Sequence, residues 1–168
     1  MRWMALGGTG LALWLLVGCG FQLRGQAQLP VELATTYIQS QQAIGAPPGP
    51  LGRKLALLLA NNGVTVTRDP AQATATIAIL NENDGRRAVA ADPLDIKREY
   101  RLVYSAALQV TLANGKTLIP AEGFTVQRSV LFDENRILGF EAARESLVDS
   151  MADDLAWQIV RRLQAVKP

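Results

Sequence analysis

Two spacings of apolar residues divide the chain. After an apolar run over residues 5–17, Thr35 to Gln39 has the β-branched and aromatic content of a short strand. Pro47-Pro48-Gly49-Pro50 is loop, because prolines so closely placed continue neither strand nor helix. Leu51, Leu55, Leu58 and Leu59 then fall at i, i+4, i+7 and i+8, the apolar stripe of a helix. Asn61-Asn62-Gly63 closes that helix, with Gly63 suited to the left-handed position after its last turn. Val64 to Thr67 is a short alternating strand stopped by Asp69-Pro70, and Thr74 to Leu80 is another.

Asn81 to Asp95 contains Asp84-Gly85 and Asp92-Pro93 and reads as a long connection or ragged hairpin. The clearest strand runs from Glu99 to Leu112. Tyr100, Leu102, Tyr104, Ala106, Leu108, Val110 and Leu112 share one face, and Arg101, Ser105, Gln109 and Thr111 share the other. Asn114-Gly115 marks a tight hairpin. The return strand is expected to break at Pro120 and resume from Gly123 to Phe132, with Arg128 interrupting its apolar face. A long helix follows from about Leu138 to Leu163, burying Phe140, Leu147, Met151, Leu155, Ile159 and Leu163. The order is β-α-β-β-β-β-α, with the second strand no more than a stub. The expected fold is α+β: two amphipathic helices on one face of a mixed, mainly antiparallel sheet of about four strands.

Composition narrows the function. The 168 residues carry 17 Lys plus Arg against 15 Asp plus Glu, too even a balance for a dedicated nucleic-acid binder. With no His there is no Ser-His-Asp or Cys-His catalysis and no His-ligated metal, and the one Cys forms no internal disulfide. Asp149, Asp153 and Asp154 lie within five residues on one helix, whereas hydrolytic carboxylate pairs face each other across a cleft. They read as a solvated helix face, and Trp157 as packing at its rim. Neither enzyme chemistry nor a cofactor or metal site is expected.

The N-terminus reads as an address. One positive residue, Arg2, precedes an apolar run too short to span a membrane comfortably, as in a secretory signal peptide. Leu16-Val17-Gly18-Cys19 resembles the bacterial lipobox. That resemblance implies a signal peptide over residues 1–18 and a single domain over 19–168, with an S-diacylglyceryl group and an N-acyl chain (palmitate) on Cys19. Multiple acyl chains anchor far more firmly than one. In lipoproteins of this type Asp after the lipidated Cys commonly signals inner-membrane retention, so Gly20 favours the outer membrane.

Behind the lipobox, Cys19-Gly20-Phe21-Gln22-Leu23-Arg24-Gly25 resembles the start of the LptE family of lipopolysaccharide-assembly lipoproteins. Gly49-Pro50-Leu51 before the first helix, Asn62-Gly63-Val64 after it, Glu99-Tyr100, Arg128-Ser129 and Phe132-Asp133 repeat that family's pattern in order. The resemblance implies a non-enzymatic protein that pairs one to one with LptD, a large outer-membrane β-barrel. It would sit as a plug in the barrel lumen on the periplasmic side, supporting barrel assembly and the passage of lipopolysaccharide to the outer leaflet. A free amphiphile-binding or scaffold lipoprotein without a barrel is the alternative.

Lipopolysaccharide carries phosphates and acyl chains, so a site for it sets cations beside an apolar edge. Lys97-Arg98, just before the main strand, is the first candidate, and Arg128 and Arg136 near the end of the last strand are the next. Arg86-Arg87, in the connection, is the candidate for contact with the barrel wall. Pro93-Leu94 stands where a relative has a basic residue, a departure from the family's pattern.

Overall fold

The computed structural model describes residues 29–40, 48–91, 97–133 and 137–166, and their side chains except those of residues 90–91, 97–98, 132–133 and 137–141. The signal peptide, Cys19 and the motif after it, Pro93-Leu94 and Arg136 lie outside the described residues.

The elements follow the expected order: β1 (Thr35–Ser40), α1 (Pro50–Asn61), β2 (Thr65–Thr67), β3 (Ala75–Ala91), β4 (Lys97–Leu112), β5 (Thr117–Asp133) and α2 (Ile137–Gln164). They build an α+β fold with one mixed five-stranded sheet in the order β2-β1-β3-β4-β5. β1 pairs in parallel with β2 and β3, whereas β3, β4 and β5 form an antiparallel meander.

Helix α1 begins at Pro50, where the fixed φ suits the first turn and no N–H is lost. Leu51, Leu55 and Leu59 are wholly buried, while Leu57 on the opposite side is 61% exposed. Gly63 closes the helix at φ 83°, as its left-handed role requires. In α2 the buried stripe is wider than the spacing predicts. Ala156 and Val160 join Met151, Ala152, Leu155, Ile159 and Leu163 at zero exposure, and Trp157 is 45% exposed rather than packed. The sheet contributes Ile77, Ile79, Leu102, Tyr104, Leu108, Val110 and Ile119 to the same core. Burying each large aliphatic stabilises the fold by about 1.5–3 kcal/mol.

Three expectations are corrected. Of the two readings of the segment from Asn81, the connection is overturned and the ragged hairpin agrees with the pairing: β3 runs to Ala91 antiparallel to β4, with bulges between Ile79 and Asn81 and between Ala88 and Ala90. Pro120 does not break the return strand. It lies in the edge strand, where a missing N–H costs no ladder bond on the free side, and the register shift beside it absorbs its geometry. Lys97 and Arg98 are the first residues of β4, not residues before it, with Lys97 opposite Asp133 and Arg98 opposite Phe132.

Candidate functional site

The three long strands run past the core, and their register decides which side chains meet. The anchor of this distal region is Glu82. Gly49, at the head of α1, has no side chain to cap the helix, and the Glu82 carboxylate reaches across from β3 to do so. Its Oε1 accepts the Leu51 N–H at 3.0 Å and the Tyr104 hydroxyl at 2.5 Å. A Cβ on Gly49 would run into that carboxylate. Burial, followed by the hydrogen bond to Glu82, pushes the Tyr104 phenol well above its usual pKa. Sheet and helix are thereby joined where the strands leave the core.

Beyond Glu82 the next two helix-facing residues of β3, Asp84 and Arg86, are polar, and each has a partner. Asp84 accepts from Arg144 of α2. The Arg86 guanidinium lies over the Tyr100 ring, 5.6 Å from its centroid. Arg87, the next residue, points to the opposite, open face because strand side chains alternate. The expected Arg86-Arg87 contact is therefore split between two faces of one sheet.

On the open face Arg87 stands directly opposite Arg101, which stands opposite Ser129. Facing residues in such a ladder hold their Cβ atoms about 5 Å apart, and like charges there repel. Both arginines are exposed, and neither makes an ion pair among the described residues. Half-buried Val103 and 77%-exposed Leu131 lie on the same face, one ladder step away on either side. Glu99 shares this face one step from Arg101, yet neither guanidinium forms an ion pair among the described residues, and two such cations beside apolar side chains match a phosphate carried on an amphiphile.

The other candidates are placed differently. Arg128 donates to Asp154 of α2, so that cation is engaged within the chain. Of Lys97 and Arg98 only the backbone is described. The carboxylates of α2 are more than a solvated face: Asp149 and Asp153 both bind Lys54 of α1, at 2.9 and 3.0 Å. The hydrogen bond to Asp149, then that to Asp153, raises the Lys54 pKa. Arg101 is missing from the expected site, since its partner strand is hidden when residues 81–95 read as a connection.

Comparison with known proteins meets this geometry with a family. The model described as "LptE: Lipopolysaccharide-assembly" matches residues 33–163. The LPS-assembly lipoprotein LptE of Yersinia enterocolitica is 32% identical over 158 residues, which cover 94% of this chain and 73% of that protein. The chain belongs to the LptE family. The LptE of Yersinia pestis strain Pestoides F matches at the same identity and coverage. Among solved structures, the lipoprotein B of Nitrosomonas europaea superposes with a TM-score of 0.69 at 25% identity, over 87% of this chain and 91% of that one. A minor lipoprotein of Acinetobacter baumannii, at 21% identity, shares the fold with a TM-score of 0.61 over 79% and 92% of the two chains. The LptE fold thus accounts for the helices, the sheet and the meander together.

Proposed function

We propose that this LptE-family chain works in lipopolysaccharide assembly at the outer membrane, anchored through acyl groups on Cys19 and seated as a non-enzymatic plug, one to one, in the lumen of an LptD-type β-barrel. The observation that carries the proposal is the family match over residues 33–163. A barrel lumen is polar, so a domain inside it needs a wettable surface. The open sheet face has that character in Thr76, Ser105, Gln109, Thr125 and Gln127, with exposed Arg87 and Arg101 at its distal end.

Within that role, the Arg87–Arg101 row is the seat for the lipid's phosphates, and Val103 and Leu131 flank it for acyl chains. Lys97, Arg98 and Arg136 stay candidates for the same phosphates on the sequence alone. Arg128 supports the fold through Asp154.

Gentle detergent extraction of the full-length lipidated protein, with native mass spectrometry of what accompanies it, tests the plug. A stoichiometric large β-barrel is expected, and recovery of the lipoprotein alone would refute the partnership. The lipid site has its own test in the Arg87→Glu/Arg101→Glu variant. It should lose lipopolysaccharide binding while still co-extracting the barrel. Retained binding would remove the pair from the site.

A further inference from the structure

The two edges of the sheet differ sharply. One is β2, three residues long, and the other is β5, seventeen residues long. Pro120 and the adjacent register shift disturb β5 only before Gly123; from Gly123 to Asp133 it pairs with β4 in unbroken register. Among the described residues, no backbone hydrogen bond other than those of the β4 ladder reaches that stretch. Long regular edges are normally blunted by proline, by a bulge, by charged side chains or by cover, because their free N–H and C=O groups template another strand. Charges fail to blunt an edge only where the incoming strand opposes them with the opposite sign. From Gly123 to Leu131 β5 has no proline and no bulge, and its open face shows exposed Thr125, Gln127, Ser129 and Leu131.

We propose that β5 pairs with β5 of a second copy of this chain, antiparallel about a two-fold axis at Thr125, joining two sheets into one. Charge selects both the occupant and the register. Between Thr117 and Leu131, β5 carries two charged side chains, Glu122 and Arg128, placed symmetrically about Thr125. Both lie on the helix face, since each meets a partner on α2. A two-fold axis at Thr125 sets Glu122 opposite Arg128 of the second copy, and the reverse. It also sets half-buried Phe124 opposite Val126, and Gly123 opposite Gln127. An axis at Arg128 or at Glu122 would instead set like charges face to face.

The charges on α2 obey the same symmetry. Glu122 accepts from Arg162 at 2.9 Å, Arg128 donates to Asp154, and Gln158 lies midway between those two helix residues. Across the joint the signs therefore alternate: Arg162, Glu122, then Arg128 and Asp154 of the second copy. The axis stands normal to the sheet, so both α2 helices stay on one side. This goes beyond the plug reading. A chain paired in this way covers its edge before any barrel is present, and entering a lumen as a single copy requires the pair to separate.

The test uses full-length lipoprotein purified in detergent without a barrel, so its outcome is independent of the barrel partnership. Thr125→Cys, oxidised with copper–phenanthroline in air, should give a disulfide-linked dimer, because directly opposed Cα atoms lie about 4.5–5.5 Å apart, within disulfide range. Gln127→Cys, on the same strand and face, should not. Its two copies would sit four residues out of register, about 13 Å apart. The parent chain, whose one cysteine is Cys19, sets the background. Cross-linking at Thr125 alone supports the pairing. Cross-linking at both positions or at neither overturns it.

A second measurement is independent of cysteine. Arg128→Glu alone should weaken self-association in sedimentation by roughly tenfold, and so should Glu122→Arg alone. Mixing the two should restore association as a mixed pair, in which position 122 of each copy faces an opposite charge at position 128 of the other. A mixture no tighter than either folded single variant would refute the register.

Discussion

Glu82 does for α1 what a capping side chain normally does from within its own helix. Removing it exposes two unmet donors, the Leu51 N–H and the Tyr104 hydroxyl, of which the second is on a residue 2% exposed. Glu82→Ala should therefore cost about 2 kcal/mol in urea unfolding. Gly49→Ala should cost about 1–2 kcal/mol alone, because the new Cβ displaces that carboxylate, and close to nothing in the Glu82→Ala background. Additive losses would mean the two residues do not act together. Alkali probes the same cluster. Burial and the Glu82 hydrogen bond raise the native pKa of Tyr104, so its contribution is complete below about pH 10, where the unfolded phenol titrates. Stability is then lost as pH climbs from there through the native value. Lys54, raised by Asp149 and Asp153, loses its contribution in the same direction above its unfolded value near 10.4. Tyr104→Phe should consequently lose less stability between pH 9 and 11 than the parent, measured as the shift in urea midpoint. None of this cluster is legible in the sequence. Gly49 shows only a turn, and its cap comes from a residue 33 positions away.

Long apolar faces make an element readable, and where they stop the reading fails. β4 alternates cleanly because its helix-facing side chains from Leu102 to Val110 are buried under α1 and α2. Past Leu80, β3 loses that signal although it continues for eleven residues. There Glu82 caps a helix, Asp84 meets Arg144 and Arg86 stacks on Tyr100, so polar partners replace the apolar contacts that produce a period of two. The Arg87–Arg101 pair was hidden for the same reason. Arg101 is visible on its face, but its neighbour depends on a strand that pattern alone does not reveal. The pair carries its own prediction. Two arginines directly opposed without a carboxylate destabilise the ladder, so Arg101→Gln should stabilise the fold by roughly 0.2–1 kcal/mol while weakening phosphate-bearing ligands. A variant that lost stability instead would show that the guanidinium groups are held by the fold and not kept for a ligand.

At the scale of the molecule, α2 fastens the rest together, but unevenly along its length. From Met151 to Leu163 seven of its residues are wholly buried against sheet and α1, whereas none from Ala142 to Ser150 is. The first part is held by half-buried Leu147 and Val148 and by side-chain bridges, from Arg144 to Asp84 on β3 and from Asp149 to Lys54 on α1. Charged contacts at partly exposed positions are each worth little beside the burial of leucines and isoleucines. The helix should therefore open from its N-terminal end, where it lies over the distal strands bearing Arg87 and Arg101. Native-state hydrogen exchange should show amides 142–149 opening well before 152–163. Arg144→Ala should speed exchange in the first group by roughly two- to fivefold and leave the second unchanged. Equal acceleration along the whole helix would mean that α2 opens as one unit, and the distal strands could then not be uncovered without unfolding the core. The local outcome would let the strands beside the proposed lipid seat move while the packing around Leu155 and Ile159 stays closed.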